Sequence, residues 1–283
     1  MQQTLAQPLS LKGIGLHSGC EVNLTLNPAP ADSGIVFCRV DLPGKPQIPA
    51  LYSSVVDTRN CTCLGDKNGN LVSTIEHLMA ALAVAGIDNA LIEVDNQEIP
   101  IMDGSGKIFY EALAQTPKQI QQSPRKFLKV LKEIEFTDDK GNQIVIKPAS
   151  QGLKVCFEID FPSKVVGHQC FADVINPAVF AEKIAPCRTF TEKQAVDYLQ
   201  SLGLIKGGSL DNAIVLDGDK ILNPEGFRVE NECVNHKVLD AIGDWYTSGH
   251  QVIGEIKASR TGHYHNNVLL KKLFSDTSNY EII

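Results

Sequence analysis

Alternating polar and apolar residues predict strands in the first part of the chain. Residues 21–26 alternate between the two classes, the period of a strand with one buried face, and residues 35–40 form a second candidate. The pattern then becomes helical. Ser73 and Glu76 have the spacing of a capping box, and the alanine-rich apolar segment behind them reaches Gly86, a residue typical of helix ends.

A polar segment divides the chain into two parts. Residues 115–125 contain two prolines, four glutamines and little apolar matter, a composition typical of a linker. We therefore predict an N-terminal α+β domain over 1–120 and a C-terminal α+β domain over 126–283. The other predicted strands are 90–94, 127–136, 143–147, 153–161, a pair around the Asp217–Gly218 turn, and 251–258. The other predicted helices are 105–114, one opening at Asn176–Pro177, one opening with a capping box at Thr191–Gln194, 232–247, and one after Gly262.

The order of elements is similar in the two parts. The helix before Gly86 leads into strand 90–94, and the helix over 232–247 leads through Gly249 into strand 251–258. This is a weak internal repeat of architecture. Because strands and helices are partly segregated within each part, we predict α+β layers and not an alternating Rossmann-type arrangement.

Composition restricts the class of protein. The 283 residues include 26 basic and 33 acidic side chains, giving a net charge of −7, so we expect no nucleic-acid partner. The longest uncharged apolar run, 78–87, is shorter than the roughly 18 residues that a membrane span needs, so we expect no membrane insertion. The N-terminus lacks the charged and apolar regions of a secretory signal. We read the eight cysteines as reduced thiols of a cytoplasmic protein.

Phosphate-binding loops of the usual kinds are absent. The segment GIGLHSG at 13–19 has Ser18 where a dinucleotide fingerprint needs its third glycine. Gly106–Lys107 lacks the flanking residues of a P-loop, and no GxSxG elbow occurs. We therefore expect neither nucleotide hydrolysis nor a dinucleotide cofactor.

The histidines are better candidates for chemistry. His236 and Asp240 are four residues apart on a predicted helix, which places both side chains on one face, and Asp244 continues that face. Seven histidines among 33 acidic residues produce such a pair by chance, so the spacing alone proves nothing. Glu76 beside His77 suits a base next to a metal ligand. The alternative is a helix cap followed by an ordinary first-turn histidine.

Three further segments carry candidate side chains with ordinary alternatives. Cys61 and Cys63 are closer in sequence than zinc ligands normally are, so we predict buried thiols in a strand, with Cys61 still able to face a cleft. Residues 262–267 place a histidine at a helix start, where it is either an acid or a surface loop residue. Residues 188–190 either present a hydroxyl and an aromatic ring to a ligand or simply anchor a helix.

Together these motifs resemble the UDP-3-O-acyl-N-acetylglucosamine deacetylase family, the zinc enzymes that commit bacteria to lipid A synthesis. The resemblance is collinear and covers nearly the whole chain. Its motifs are GIGLHSG (13–19), CTCL (61–64), STIEHLMAAL (73–82), GIDN (86–89), EIPIMDGS (98–105), RTF (188–190), YLQS (198–201), GGS (207–209), HKVLDAIGD (236–244), and GH with NN in 262–267. Each is weak singly, but their order and spacing are specific.

The resemblance implies a metal site and a set of roles. The implied ligands of Zn²⁺, with Fe²⁺ as the alternative metal in the cell, are His77, His236 and Asp240. The implied catalytic residues are Glu76 as general base, His263 as general acid, Asp244 orienting that histidine, and Thr189 at the oxyanion. The implied contacts to the sugar nucleotide are Lys237, Phe190, Phe161 and Arg260. Three protein ligands leave one coordination position open, as catalytic zinc requires.

The resemblance also implies a fold and a substrate. Two similar two-layer α/β sandwich domains enclose the active site between them, and an inserted strand pair forms a passage for the acyl chain. The residues matching this passage are Leu16, Val196, Ile205, Ala213 and Val215. Their alternative reading is ordinary core. The implied reaction releases acetate from an acylated UDP-sugar, and we expect a monomer without an appended dehydratase domain.

The sequence departs from the family pattern at two places. Arg260 stands where relatives often have lysine, which keeps a phosphate contact, and Arg59–Asn60 replaces a more apolar pair, which changes the loop before Cys61.

Two other functions compete with the deacetylase function. One is a non-catalytic sugar-nucleotide or lipid-binding protein, against which the complete set of catalytic residues argues. The other is a zinc hydrolase of a different N-acetyl substrate, against which the apolar passage argues.

Overall fold

The first half of the chain combines short strands with two helices. The computed structural model describes residues 1–283. The helices are α1 (Glu76–Ala85) and α2 (Lys107–Gln115). The strands are β1 (Gln3–Leu5), β2 (Leu9–Ile14), β3 (Glu21–Pro28), β4 (Ile35–Arg39), β5 (Gln47–Pro49), β6 (Val55–Asp57), β7 (Cys63–Gly65), β8 (Leu71–Val72), β9 (Ala90–Val94) and β10 (Lys118–Ile120).

The second half has longer strands and the longest helix. Its helices are α3 (Pro177–Val179), α4 (Lys193–Ser201), α5 (Glu232–Tyr246) and α6 (His263–Phe274). Its strands are β11 (Phe127–Val130), β12 (Ile134–Thr137), β13 (Gln143–Lys147), β14 (Leu153–Asp160), β15 (His168–Val174), β16 (Phe190–Glu192), β17 (Ile214–Asp217), β18 (Lys220–Ile221), β19 (Gln251–Ser259) and β20 (Tyr280–Ile282). No helix has both the length and the apolar composition to cross a lipid bilayer.

Each half is a sheet with helices packed on one face. In the first half the strand order is β2-β3-β9-β4-β5, and the alternation predicted for 21–26 buries Val22, Leu24 and Leu26 beneath α1 and α2. In the second half β19 lies at the centre, beside β13, β11 and β14, and α5 and α6 cover that sheet. The predicted α+β fold class is confirmed, while the domain boundaries stay a prediction.

Helices α1 and α5 cross in close contact where the two sheets' helix layers meet. They come close at Gly243, where an added Cβ would lie 1.9 Å from the carbonyl oxygen of Glu76. Only glycine allows backbone to approach backbone this closely. The crossing therefore sets the distance between residues on α1 and residues on α5.

We expect Gly243→Ala to destabilise the protein by about 2 kcal/mol. Overpacking costs ~1–3 kcal/mol, and the contact is with backbone that cannot rotate away, whereas the better helix propensity of alanine returns at most about 1 kcal/mol. Urea denaturation measures the free energy of unfolding. If the urea midpoint and the slope of the transition were unchanged in Gly243→Ala, the two helices would have moved apart with no loss in the free energy of unfolding.

Several predicted element boundaries are wrong for identifiable reasons. Neither predicted capping box forms, because α1 and α4 begin without a side-chain cap. The Ser73 hydroxyl bonds instead to the carbonyl of Gln97. The predicted strand 127–136 is two strands, β11 and β12. The linker segment contains β10, which pairs with β1, and the unpredicted β20 pairs with β11 near the end of the chain.

The N-cap predicted at Asn176 is confirmed. Its side chain accepts hydrogen bonds from the backbone of Ala178 and Val179, both at 3.0 Å. The helix that it opens is short, however, and continues as a π-helical turn over Phe180–Ile184. The predicted strand pair around Asp217–Gly218 is present as β17 and β18, and β16 extends it to three strands.

Candidate active site

Three buried side chains from the two halves converge at the crossing of α1 and α5. His77 lies in the first turn of α1, and His236 and Asp240 lie one turn apart on α5. The Asp240 Oδ1 atom is 3.4 Å from His77 Nε2 and 3.3 Å from His236 Nε2. The helical spacing of the α5 pair is local, whereas His77 reaches the pair only because Gly243 lets the helices approach.

The hydrogen bonding of this cluster fits a metal ion. Asp240 Oδ1 is buried without any hydrogen-bond partner, although an unpaired buried carboxylate oxygen is costly. His236 Nδ1 lies 3.0 Å from the carbonyl oxygen of Cys187, which only accepts, so Nδ1 carries the proton and Nε2 presents its lone pair to the cluster. Burial also lowers the pKa of His236 to about 3, which keeps the ring neutral. Two imidazoles and one carboxylate form the ligand set of a catalytic divalent metal.

The second oxygen of Asp240 faces a cation. Lys237 Nζ lies 2.8 Å from Asp240 Oδ2. Burial by itself would raise the pKa of Asp240, but His236 and Lys237 outweigh it and hold the pKa well below its usual range. Asp240 is therefore ionised, which is the form in which a carboxylate can bind a metal.

A second carboxylate, Glu76, stands beside the cluster without joining it. Its Oε2 atom accepts a hydrogen bond from the backbone N–H of Thr62 at 3.0 Å, and its Oε1 atom is 4.0 Å from His263 Nε2. Burial raises the pKa of Glu76 above the ordinary glutamate value. A carboxylate with a raised pKa near a reaction centre suits proton transfer. The structure thus removes the alternative reading of Glu76 as a helix cap, since no cap bond forms.

His263 opens α6 and is held by Asp244. The His263 Nδ1 and Asp244 Oδ2 atoms are 2.8 Å apart. Asp244 also accepts from the Thr62 hydroxyl at 2.5 Å and from the Asn266 side-chain amide at 2.8 Å. Burial alone would lower the pKa of His263, but the charge and hydrogen bond of Asp244 dominate and raise it to about 9. His263 is therefore protonated at neutral pH, with Nε2 directed toward Glu76 and Asp240.

Aromatic rings and a cation border the cluster on one side. The Phe190 ring makes an edge contact with Phe161 at a centroid distance of 5.2 Å, and lies 6.4 Å from the His236 ring. Lys237 Nζ is 5.8 Å from the Phe190 centroid. Thr189, half-buried, is fixed by its backbone N–H, which donates to the carbonyl of Gly104 at 2.8 Å.

The loop that carries Thr189 is anchored by a buried ion pair. Arg188 is fully buried, and its Nε atom donates to Glu232 Oε1 at 2.9 Å at the start of α5. The backbone N–H of Arg188 donates to the same oxygen at 3.0 Å, and Glu225 binds the outer guanidinium nitrogen. The two predictions for residues 188–190 are an anchor for a helix and a contact to a ligand. Arg188 forms the anchor, and Thr189 and Phe190 line a cavity that a ligand could occupy.

A cavity of about 810 Å³ lies next to this cluster, with Lys237 and His263 in its wall. Thr189, Phe190, Lys237, Arg260 and His263 all contribute to its wall. The five residues predicted as an acyl passage line it as well, namely Leu16, Val196, Ile205, Ala213 and Val215. Phe161 is not in the wall and supports Phe190 from behind. A cavity lined by both polar and apolar side chains suits an amphiphilic ligand.

The cysteines are unpaired and lie apart from the ligand set. Cys61 and Cys63 are buried, as predicted, but only Cys63 lies in a strand. Burial raises the pKa of Cys63 to about 11 and that of Cys61 well above its usual value, so both are protonated thiols. All eight cysteines are free.

Comparison with known proteins decides the family. The family profile described as UDP-3-O-acyl N-acetylglycosamine deacetylase matches residues 2–275. Relatives of the same name include those of Syntrophotalea carbinolica, 42% identical over 100% of this chain and 90% of the relative, and of Actinobacillus pleuropneumoniae serotype 3, 44% identical over 100% and 92%. The relative from Vibrio parahaemolyticus is 45% identical over 99% of this chain and 92% of its own length. The chain belongs to this deacetylase family.

Membership of the deacetylase family confirms the resemblance drawn from the motifs. It also confirms the enzyme class, since this is a family of hydrolytic metalloenzymes. The cluster of His77, His236 and Asp240 is buried and compact enough to hold a metal ion. The roles of the individual residues stay predictions.

Three residues around the site lie in segments noted from the sequence but have contacts there that only the structure shows. Thr62 lies between the two cysteines, yet it bonds both Glu76 and Asp244. His17 and Asn60 line the cavity, and Asn60 has a left-handed φ of 65°, which shapes the loop that departs from the family pattern. Tertiary contacts, and no local pattern, bring these residues to the site.

Proposed function

We propose that the chain hydrolyses the N-acetyl group of UDP-3-O-acyl-N-acetylglucosamine to UDP-3-O-acyl-glucosamine and acetate, the committed step of lipid A biosynthesis. One observation carries the proposal. A buried cluster of His77, His236 and Asp240 lies beside a separate carboxylate and a protonated imidazole, Glu76 and His263, and His263 also lines a cavity with polar and apolar walls. A deacetylase that accepts an acylated sugar nucleotide needs these three parts together.

The proposed cofactor is one Zn²⁺ ion, with Fe²⁺ as the alternative in the cell, held by His77, His236 and Asp240. When bound, such an ion supplies Lewis acidity, which polarises a carbonyl oxygen and favours the deprotonation of water. The unpartnered Asp240 Oδ1 atom and the lone pair of His236 Nε2 support this assignment.

The proton transfers are assigned to Glu76 and His263. Glu76 accepts a proton from the attacking water at Oε1, because its Oε2 atom is engaged by the Thr62 N–H. His263 donates a proton from Nε2 to the departing amine, because Nδ1 is engaged by Asp244. A positioned acid or base contributes about 10²–10⁴-fold to a rate.

The remaining candidates bind and orient the substrate. The Thr189 hydroxyl, on a loop anchored by Arg188, donates to the oxyanion that develops on the acetyl carbonyl, a contact worth roughly 3 kcal/mol. Lys237, Phe190 and Arg260 contact the sugar nucleotide, with Phe161 holding the Phe190 ring in place. The acyl chain lies along the apolar residues that line the cavity.

The test of the proposed function is acetate release from acylated and non-acylated UDP-sugar, with and without a chelator. We expect release from the acylated compound only with metal present. Each buried methylene is worth about 0.8 kcal/mol, so the non-acylated compound should lose roughly tenfold in kcat/KM for every two methylenes that the cavity holds. Equal turnover of the two compounds would refute the acyl passage, and turnover in metal-free protein would refute the metal site.

We expect Ala213→Gln to raise KM for the acylated substrate and to leave the non-acylated compound unaffected. Ala213 lines the cavity together with the other four apolar residues of the predicted passage, and a polar side chain there displaces the acyl chain. Ala178→Gln is the matched control, since Ala178 is exposed on α3. Steady-state kinetics with both compounds measure the effect. A parallel loss with both would indicate misfolding and not a role in acyl binding.

The kcat/KM profile should be bell-shaped in pH. Glu76 acts deprotonated, and its raised pKa places the acidic limb above the ordinary glutamate value. His263 acts protonated, and activity falls as pH rises through its pKa of about 9. The limbs are macroscopic properties of the coupled site. Asp244→Asn removes the charge that raises the His263 pKa, so the basic limb should move to lower pH. A basic limb that stays in place would exclude His263 as the acid.

We further propose that the enzyme acts as a monomer in the cytoplasm, with the two predicted domains over 1–120 and 126–283. A site completed within one chain and eight free cysteines support these points. The substrate of the relatives and the passage residues favour an acylated sugar nucleotide over other N-acetyl compounds.

A further inference from the structure

A second group of metal-ligating side chains lies on the outer face of the β14–β15 hairpin. In the antiparallel register Glu158 is paired with Cys170, and His168 precedes Cys170 by two residues, so all three side chains point to the same face. The buried side chains of the hairpin, including Phe157 and Phe171, point to the opposite face. The proposed deacetylation uses none of the three outer residues.

The distances within this group match those between the ligands of one ion. Cys170 Sγ is 3.6 Å from His168 Nε2, and His168 Nε2 is 3.7 Å from Glu158 Oε2. Tetrahedral zinc, with Zn–S and Zn–N or Zn–O bonds of about 2.3 and 2.0 Å, separates such pairs by roughly 3.5 and 3.3 Å. The potential ligand atoms all lie within 4.8 Å of one another. Little movement is therefore needed to enclose an ion.

A simple surface ion pair explains only part of this arrangement. It accounts for His168 beside Glu158, whereas Cys170 makes a separate sulfur contact with the imidazole that an ion pair does not require. Cys170 lies near both ring nitrogens, at 3.6 and 3.8 Å, so the sulfur faces the imidazole whichever nitrogen carries the proton. The strands supply these positions rigidly, because cross-strand partners are held by the hydrogen bonds of the ladder.

We propose that Glu158, His168 and Cys170 form a second metal site, separate from the buried cluster, that takes a borderline divalent cation such as Zn²⁺. A thiolate with an imidazole selects zinc or similar metals over Mg²⁺ and Ca²⁺, which require oxygen ligands. The side chains of Glu158 and His168 are about half exposed, so water completes the coordination.

Cobalt substitution tests the site directly. Thiolate bound to Co²⁺ gives a charge-transfer absorption in the near ultraviolet, and the buried cluster of His77, His236 and Asp240 contains no thiol. We expect this band in the wild-type protein and its loss in Cys170→Ser. Cys20→Ser, another exposed cysteine, and Cys61→Ser, a thiol close to Glu76, should both retain it.

Metal stoichiometry provides the second measurement. At saturating Zn²⁺ we expect two ions per chain in the wild type and one in both Cys170→Ser and His168→Gln. Asp240→Ala should keep the cobalt band, which separates failure of this site from failure of the proposed active site. The absence of the band from the wild type, or its persistence in Cys170→Ser, would overturn the proposal.

Discussion

Replacing Glu76 by glutamine should lower kcat about 10²–10⁴-fold while the metal content stays unchanged. Glutamine keeps the size of the side chain and its hydrogen bond from the Thr62 N–H, but it cannot take a proton from water. Glu76 is not among the three clustered ligands, so its loss does not release the ion. Steady-state kinetics on protein of measured metal content give the result.

The controls for Glu76 separate catalysis from folding. If Glu76 only stabilised α1, Glu76→Ala would cost about 1 kcal/mol and leave turnover nearly normal. Glu111→Gln, on the exposed face of α2, makes the same chemical change away from the site and should have no kinetic effect. Nearly normal turnover of folded, metal-loaded Glu76→Gln would remove Glu76 from the mechanism.

Asp240→Ala should lose the metal and with it all measurable turnover. Asp240 supplies the only carboxylate of the cluster, and its removal leaves the two imidazoles beside the ammonium group of Lys237. That positive charge, no longer paired, repels a cation from the site. Metal analysis after gel filtration and acetate release measure the two losses together.

A matched surface variant controls for the change in charge. Asp139→Ala removes an exposed carboxylate from a turn of the second half and should retain both metal and activity. Asp240→Asn keeps the shape of the side chain and should bind metal far more weakly than the wild type, because a neutral amide is a poor zinc ligand. Full metal occupancy in Asp240→Ala would show that the cluster is not the binding site.

Local periodicity explains which parts of the site could be predicted. His236, Asp240 and Asp244 share a face of α5 because the helix repeats every 3.6 residues, and the sequence shows this directly. The alternation of β3 predicts its buried face for the same reason. The pairing of His77 with α5 required knowledge of the family, since no local pattern joins positions so far apart.

Competition among hydrogen-bond partners explains the wrong predictions. Ser73 and Glu76 have the right spacing for a capping box, yet both side chains bond to groups distant in sequence. The Ser73 hydroxyl donates to the carbonyl of Gln97, and the Glu76 carboxylate accepts from the backbone N–H of Thr62. Likewise, Thr62 and Asp244 bond across 182 residues, a contact that no sequence window contains. Tertiary partners overrode local propensity at the positions next to the site.

The division of the site between two distant segments has a consequence for biosynthesis. His77 leaves the ribosome roughly 160 residues before His236, about 8–30 s earlier at ordinary translation speeds. During that interval the nascent chain can fold its first sheet but offers only one of the three proposed ligands. The closing strand of the second sheet, β20, is synthesised later still. If these residues hold the metal as proposed, its loading follows synthesis of α5, so activity cannot appear before the second sheet's helix has been made.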